Sequence, residues 1–352
     1  MAILKFNGVG ISALSACVPK NVIYNKDLTY LMSKEEINKT INNIGIEERR
    51  IADSNVCSSD LCMTAALELM KDNKIDPITI NALIFVSQTP DYRQPATSPI
   101  LQNKLGLSTD TMSFDINLAC SGYVYGLSVA YSIASLRNMD RVLLLVGDTM
   151  SKIVSKMDRV ATPLFGDAGT ATLVEKGDFG DSMFSLNSDG SGAAIMAVPY
   201  GGYRHPSSEE SLKIVSDQDG SRRRGEDFRM DGMDVFNFGI KEEPKDIKKL
   251  LRESGLTTDE IDVLVYHQAN KFMTDFFTKR LHISQDKTPY SLRRFGNTSS
   301  ASIPLTIVSE MQDMSVYPKR DKVILSGFGA GLSWGTALLN LSKCRISKLV
   351  EY

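Results

Sequence analysis

The sequence is poor in the residues that mark special chemistry: 352 residues hold five cysteines, three histidines and one tryptophan. Cys17, Cys57, Cys62, Cys120 and Cys344 are odd in number and show neither CxxC spacing nor the density of a disulfide framework. That argues against a thiolate-ligated zinc module or a disulfide scaffold and makes a reducing cytoplasm the expected setting. Net charge is small too, with 40 Lys+Arg against 42 Asp+Glu, so no bulk field points to nucleic acid or an anionic membrane. No apolar run reaches bilayer-spanning length. Leu14-Ser15-Ala16-Cys17, after Lys5, has the letters of a lipoprotein cleavage site, but Asn7, Gly8 and Gly10 interrupt the apolar stretch such a leader needs. The segment reads instead as a first strand ending in a proline turn.

What is present is ordinary globular material, 42% hydrophobic and 23% charged. Strand-like runs such as NALIFVSQ and RVLLLVGD alternate with helix-like stretches such as SSDLCMTAALELMKDN, which predicts a layered α/β fold. The pattern also repeats. A shift of 181 positions carries INALIF at Ile80 onto IDVLVY at Ile261, LMKD at Leu69 onto LLRE at Leu250, and DRVLLL at Asp140 onto DKVILS at Asp321. A shared register across three segments predicts a duplicated unit, residues 1–176 and 177–352, dividing near Glu175 to Phe184. Two stretches rich in small residues, ACSGYVYGLSVAYSIAS and TSSASIPLTIVSEM, are expected as helices buried between two sheets. The polar segment from His205 to Met230 reads as a surface insertion, with Arg222 to Arg224 a solvated charge run.

Chemistry concentrates at a few addresses. Cys120 stands at a strand-to-helix turn, where unpaired N–H groups and the helix dipole favour a thiolate; small-residue packing is the alternative reading. His267, in VYHQANKF, follows a strand of the second half, and the carboxyl ends of strands are where α/β proteins build sites. Asn297, in RRFGNTSSAS, precedes a helix and reads equally as a cap. The glycine-rich SGFGAGLSWG offers backbone N–H groups to an oxyanion or simply makes a tight turn.

DINLACSG, HQAN, GNTSSAS and GFGAGLSWG, in this order, together with GIEERRIA from Gly45, resemble the β-ketoacyl-acyl carrier protein synthase III family of the thiolase superfamily. The resemblance covers nearly the whole chain and implies a duplicated five-layer α-β-α-β-α fold and a homodimer. It implies Cys120 as a nucleophile acylated by a CoA or phosphopantetheine thioester, with the N–H groups of Cys120 and Ala330 holding the oxyanion. His267 and Asn297 would then hold the enolate left by decarboxylation of malonyl-acyl carrier protein, with Phe328 near the departing carboxylate. No metal or redox cofactor is implied. The carrier is expected to dock beside Gln268, Ala269, Asn270, Lys271 and Phe272, with Lys279 and Arg280 supplying cations and Phe272, Phe276 and Phe277 an inward helical face. Type III polyketide synthases share the Cys-His-Asn set, and an acyltransferase using the same acyl-cysteine on a sugar, amine or alcohol is a second alternative.

Two departures stand out. Where the family commonly has a tryptophan and an arginine for the adenine of CoA, this chain has Lys39 and Asn43, although Arg159 matches the family's other nucleotide-contacting arginine. Tyr203 and Phe228 of the polar insertion are the aromatic alternatives. Where the family often has an aromatic or small apolar residue before a proline, at a position that crosses the dimer interface and limits the primer, this chain has Gln94, either lining a pocket or lying on a surface loop.

Overall fold

The structure, a computed structural model, describes residues 2–352. The first half contains β1 (Ala2–Val18), α1 (Lys34–Ile44), α2 (Ser58–Asn73), β2 (Ala82–Val86), α3 (Thr97–Lys104), β3 (Met112–Ile116), α4 (Gly122–Ala134) and β4 (Arg141–Thr149). The long strand β5 (Asp167–Ser188) follows, and then α5 (Gly232–Ser254), β6 (Val263–Tyr266), α6 (Lys271–Leu281), α7 (Ser302–Glu310), β7 (Val323–Gly329) and β8 (Ser333–Leu339). No described helix is long and apolar enough to cross a membrane.

The internal repeat survives as hydrogen-bond register. Ala82 pairs with Val142 between the parallel strands β2 and β4, and Val263 pairs with Val323 between the parallel strands β6 and β7. The shift that takes 82 to 263 also takes 142 to 323. Position 176 falls inside β5, which joins the two units without a break. Its first part pairs with β4, its last part with β8, and β1 runs antiparallel along both.

Alternation along the strands sets the layers. Leu83 and Phe85 of β2 pack with Leu61, Ala65 and Leu69 of α2, while Ala82, Ile84 and Val86 face a central core containing α4 and α7. In β6, Leu264 and Tyr266 pack with Ile247 and Leu251 of α5 and Phe277 of α6, while Val263 and Val265 face the same central core. The order is therefore outer helices, strands, α4 with α7, strands, outer helices: the expected five-layer thiolase-like fold.

The central helices are apolar all round, as helices covered on every side must be. Nearly every residue of α4 is buried, and in α7 Ser302 through Val308 are all buried. Close approach requires small residues there. A Cβ at Gly126 would stand 2.7 Å from Val86 Cγ2 and 3.2 Å from Leu144 Cδ1.

The polar insertion is less solvated than its composition suggests. Arg223 is 6% exposed and its guanidinium reaches Asp158, Asp217 and Asp219, so three carboxylates offset the cost of burying one cation. Arg222 remains exposed, and Arg224 pairs with the buried Asp227. The charge run is thus a brace that holds the insertion to the body of the protein.

Gly126→Ala should lower the unfolding free energy by about 1–3 kcal/mol through overpacking, despite a helix-propensity gain of roughly 1 kcal/mol. Adding Val86→Ala should make the double variant more stable than the sum of the single effects, a coupling readable from urea denaturation.

Candidate functional site

Cys120 sits in the turn between β3 and α4, with Gly122 N–H donating to Ala119 O at 2.7 Å. The turn is tied to the β7–β8 loop of the second half. The Ser121 and Ser333 hydroxyls are 2.7 Å apart, and Ser333 Oγ donates to Ala330 O at 2.9 Å. A Cβ at Gly329 would lie 2.9 Å from both Cys120 N and Cys120 Cβ, so only a glycine lets β7 end this close to the cysteine. Among the described residues, the N–H groups of Cys120 and Ala330 make no other hydrogen bond. Both residues border one cavity, where two free backbone donors suit an oxyanion.

His267 follows β6 directly, and its N–H donates to Ser326 O at 2.7 Å. Its Nδ1 is 2.6 Å from Ser302 Oγ at the start of α7, which leaves Nε2 for the cavity. The ring stands edge-on to Phe328 at 5.9 Å and 84°. Asn297 is fixed by its backbone, which donates to Leu164 O at 2.9 Å and accepts from Gly166 N at 3.0 Å. Its Oδ1 accepts from Ser299 N at 2.8 Å, so Nδ2 is the end of the amide free to donate into the cavity. Cys120, His267, Asn297, Ala330 and Phe328 all line this cavity of about 180 Å³.

Electrostatics correct one expectation. Burial pushes the Cys120 thiol up to about 12, against a smaller downward pull from the Ser299 hydroxyl. A helix end contributes at most about 2 kcal/mol, under one and a half pH units, and α4 begins two residues beyond the sulfur. Desolvation wins, and the resting cysteine is a neutral thiol. Burial also lowers His267 to about 3, so the imidazole is neutral across the physiological range.

The remaining walls are mostly apolar: Phe228 and Met230 from the insertion, Met196 from the segment before it and Met273 from α6, joined by Met150 and Phe165. Phe228 is buried, edge-on to Phe165 at 5.5 Å, so it belongs to the cavity rather than to an exposed stacking surface; Tyr203 is 88% exposed.

The proposed binding residues divide. Arg159 is 2.5 Å from Glu36 of α1, and Lys39 and Asn43 are exposed on the same helix. Gln94 lies on an exposed loop and does not line the cavity of its own chain. Gln268 is 1% exposed, with its amide donating to Tyr266 O and accepting from Ser291 N, so it cannot meet a partner. Ala269 and Asn270 line the cavity, and Asn270 also caps α6 through Met273 N. Lys271, Phe272, Lys279 and Arg280 are exposed. Phe272 therefore faces out, against Phe236 at 5.4 Å, whereas Phe277 is buried in the core.

Sequence reading missed Gln88, Ser299 and Ser302. The two serines were inside the NTSSAS motif, but serines before a helix look like caps. Gln88 carried one signal, its place just beyond the carboxyl end of β2, which mirrors His267 beyond β6.

The histidine gives a pH test. Folded His267 refuses a proton until about pH 3 whereas an unfolded one takes it near 6.5, so in that window the unfolded chain binds more protons and stability is lost as the pH is lowered. His267→Gln should flatten the fall in unfolding free energy between about pH 6 and pH 4.5 by roughly 1 kcal/mol per pH unit. An unchanged slope would mean that His267 is protonated in the folded protein.

Residues 114–192 match the model of 3-oxoacyl-[acyl-carrier-protein (ACP)] synthase III, and residues 251–341 match the model of its C-terminal part. The chain is similar to a putative 3-oxoacyl-[acyl-carrier-protein] synthase 3 of Campylobacter jejuni, 35% identical over 353 residues and covering 99% of this chain and 98% of that protein. It is also 35% identical over 334 residues to the β-ketoacyl-[acyl-carrier-protein] synthase III of Natranaerobius thermophilus, covering 94% and 98% of the two chains. The crystal structure of a 3-oxoacyl-(acyl-carrier protein) synthase from Burkholderia xenovorans matches with a TM-score of 0.92 at 34% identity, over 100% of this chain and 99% of that one. With such identity along nearly its full length, and with a cysteine, a histidine and an asparagine meeting in one buried cavity, the chain belongs to the 3-oxoacyl-[acyl-carrier-protein] synthase III family of condensing enzymes.

Proposed function

We propose that this protein joins an acyl primer to malonyl-acyl carrier protein by decarboxylative condensation, in fatty acid or related acyl-chain synthesis. The observation that carries the reading is the convergence of Cys120, His267 and Asn297, from three separate loops, on a cavity that also holds two unused backbone donors. Cys120 Sγ attacks the primer's thioester carbon, and the N–H groups of Cys120 and Ala330 hold the oxyanion. The carbon–sulfur bond then breaks, and the departing thiolate takes up the proton that the neutral Cys120 gives up.

In the second step the malonyl carbon–carbon bond breaks and carbon dioxide leaves. The enolate oxygen is held by His267 Nε2 and Asn297 Nδ2, and the carbanion attacks the acyl-cysteine. That attack forms the new carbon–carbon bond, and collapse of the adduct breaks the carbon–sulfur bond and returns the Cys120 sulfur, which recovers a proton. Phe328, 3% exposed beside His267, gives the departing carboxylate an apolar neighbour that disfavours its charged ground state. No resident metal or redox cofactor has a part in these steps. Methionine and phenylalanine walls favour an apolar primer, since thioether side chains adapt to chains of different shape.

The finer assignments belong to the same reading. A homodimer is supported by β3, an edge strand paired only with β2 and open to a second copy. All five cysteines are unpaired, which fits a reducing cytoplasm. An acidic carrier would meet Lys279 and Arg280 beside the exposed Phe272, while Lys271 is engaged by Asp275.

Mass analysis after exposure to a panel of acyl-CoA and acyl-carrier thioesters should place the adduct on Cys120 and name the primer, and Cys120→Ser should abolish it. His267→Ala and Asn297→Ala should still acylate but lose condensation by roughly 10²-fold or more. An adduct on Cys17 or Cys57, or loss of acylation alone, would refute the division of labour. Separately, Lys279→Glu with Arg280→Glu should raise the carrier KM at low salt while acylation by small thioesters holds; an unchanged KM removes these cations from docking.

A further inference from the structure

We infer that Gln88 is a positioning residue for the nucleophile: it fixes the Ser299 hydroxyl so that its single hydrogen points to Cys120 Sγ. Gln88 Nε2 lies 2.6 Å from Ser299 Oγ, and Ser299 Oγ lies 3.7 Å from Cys120 Sγ, within reach of a hydrogen bond to sulfur. An amide nitrogen only donates. If it donates to Ser299 Oγ, that oxygen is an acceptor there, and its own hydrogen is left for the sulfur, with the Asp148 carboxylate the competing acceptor.

The direction depends on which end of the amide faces the serine, and a second contact decides it. The same Nε2 lies 3.2 Å from Met150 Sδ, and a thioether sulfur accepts but cannot donate. Two acceptors, a hydroxyl oxygen and a sulfur, thus surround one NH₂ group. Turning the amide over would set its carbonyl oxygen against the Met150 lone pairs.

The groups are also held in place from both halves of the chain. Asp148, fully buried at the end of β4, accepts from Gln88 N at 2.8 Å and from Ser87 Oγ at 3.2 Å. It also accepts from Ser300 N at 3.1 Å and Ser300 Oγ at 2.6 Å. One carboxylate therefore clamps the Gln88 loop to the Ser299 turn. Ser299 itself has φ +53, a left-handed conformation costly for any residue with a Cβ, and the Asn297 side chain secures it by accepting from Ser299 N.

A donated hydrogen bond strengthens as its acceptor becomes charged, so this chain favours the thiolate against the burial and the nearby Asp148 charge that oppose it. Ser299 touches the reacting sulfur, whereas Gln88 acts through Ser299.

The inference rests on Cys120 as the nucleophile, but its test does not require a substrate. The rate of Cys120 alkylation by iodoacetamide is followed against pH, by peptide mass, in the intact protein, Gln88→Leu, Ser299→Gly and the double variant. Glycine suits the left-handed backbone, so Ser299→Gly removes the hydroxyl without adding strain. Gln88→Leu should move the alkylation profile to higher pH and slow labelling at neutral pH by roughly tenfold, the scale of one hydrogen bond to a charged group. Ser299→Gly should do at least as much, and adding Gln88→Leu to it should change nothing further. A Gln88→Leu effect that persists undiminished when Ser299 is absent, or no effect at all, overturns the proposal. Failure of Cys120 as the nucleophile would show instead as a thioester adduct elsewhere, with this coupling intact.

Discussion

The site depends on one close contact, the end of β7 laid against the backbone of the Cys120 turn. Gly327 and Gly329 leave no side chain in the way: added Cβ atoms would stand 3.0 Å from Cys120 O and 2.9 Å from Cys120 N. That contact brings the Ala330 loop of the second half to the cysteine of the first, and the Ser121–Ser333 hydroxyl pair fixes it. Without it, neither the Ala330 N–H nor the His267 side chain beyond β6 would share a cavity with the sulfur, because β6 and β7 are paired in register.

Closing the cavity this tightly has an electrostatic consequence. Burial holds the Cys120 thiol near 12 and His267 near 3, so both side chains are neutral at rest. A neutral imidazole suits a hydrogen bond to an enolate oxygen, whereas a permanent thiolate would have to be desolvated in advance.

Much of this was legible in the sequence. The duplication was visible because parallel β-strands covered on both faces are nearly continuous apolar runs, and two copies in one register stand out at a constant shift. The central helices showed themselves as ACSGYVYGLSVAYSIAS and TSSASIPLTIVSEM, since only small side chains allow such packing. Cys120, His267 and Asn297 were legible because each lies at a strand or helix end within a motif whose order could be read. Where composition alone was the guide it erred: the arginine run looked solvated, yet Arg223 is buried among three aspartates, two just before it in the chain and the third, Asp158, brought from the first half.

The sequence by itself therefore determined the repeated register, the layers and the motif residues that line the cavity, all of which follow from local periodicity or short motifs. The tertiary structure decided the protonation state of Cys120, the outward turn of Phe272, the burial of Gln268 and the meeting of Gln88 with Ser299. Each of those depends on what surrounds a side chain in space. Gln88 and Ser299 are far apart in the chain, and nothing in the letters near either one announces the other.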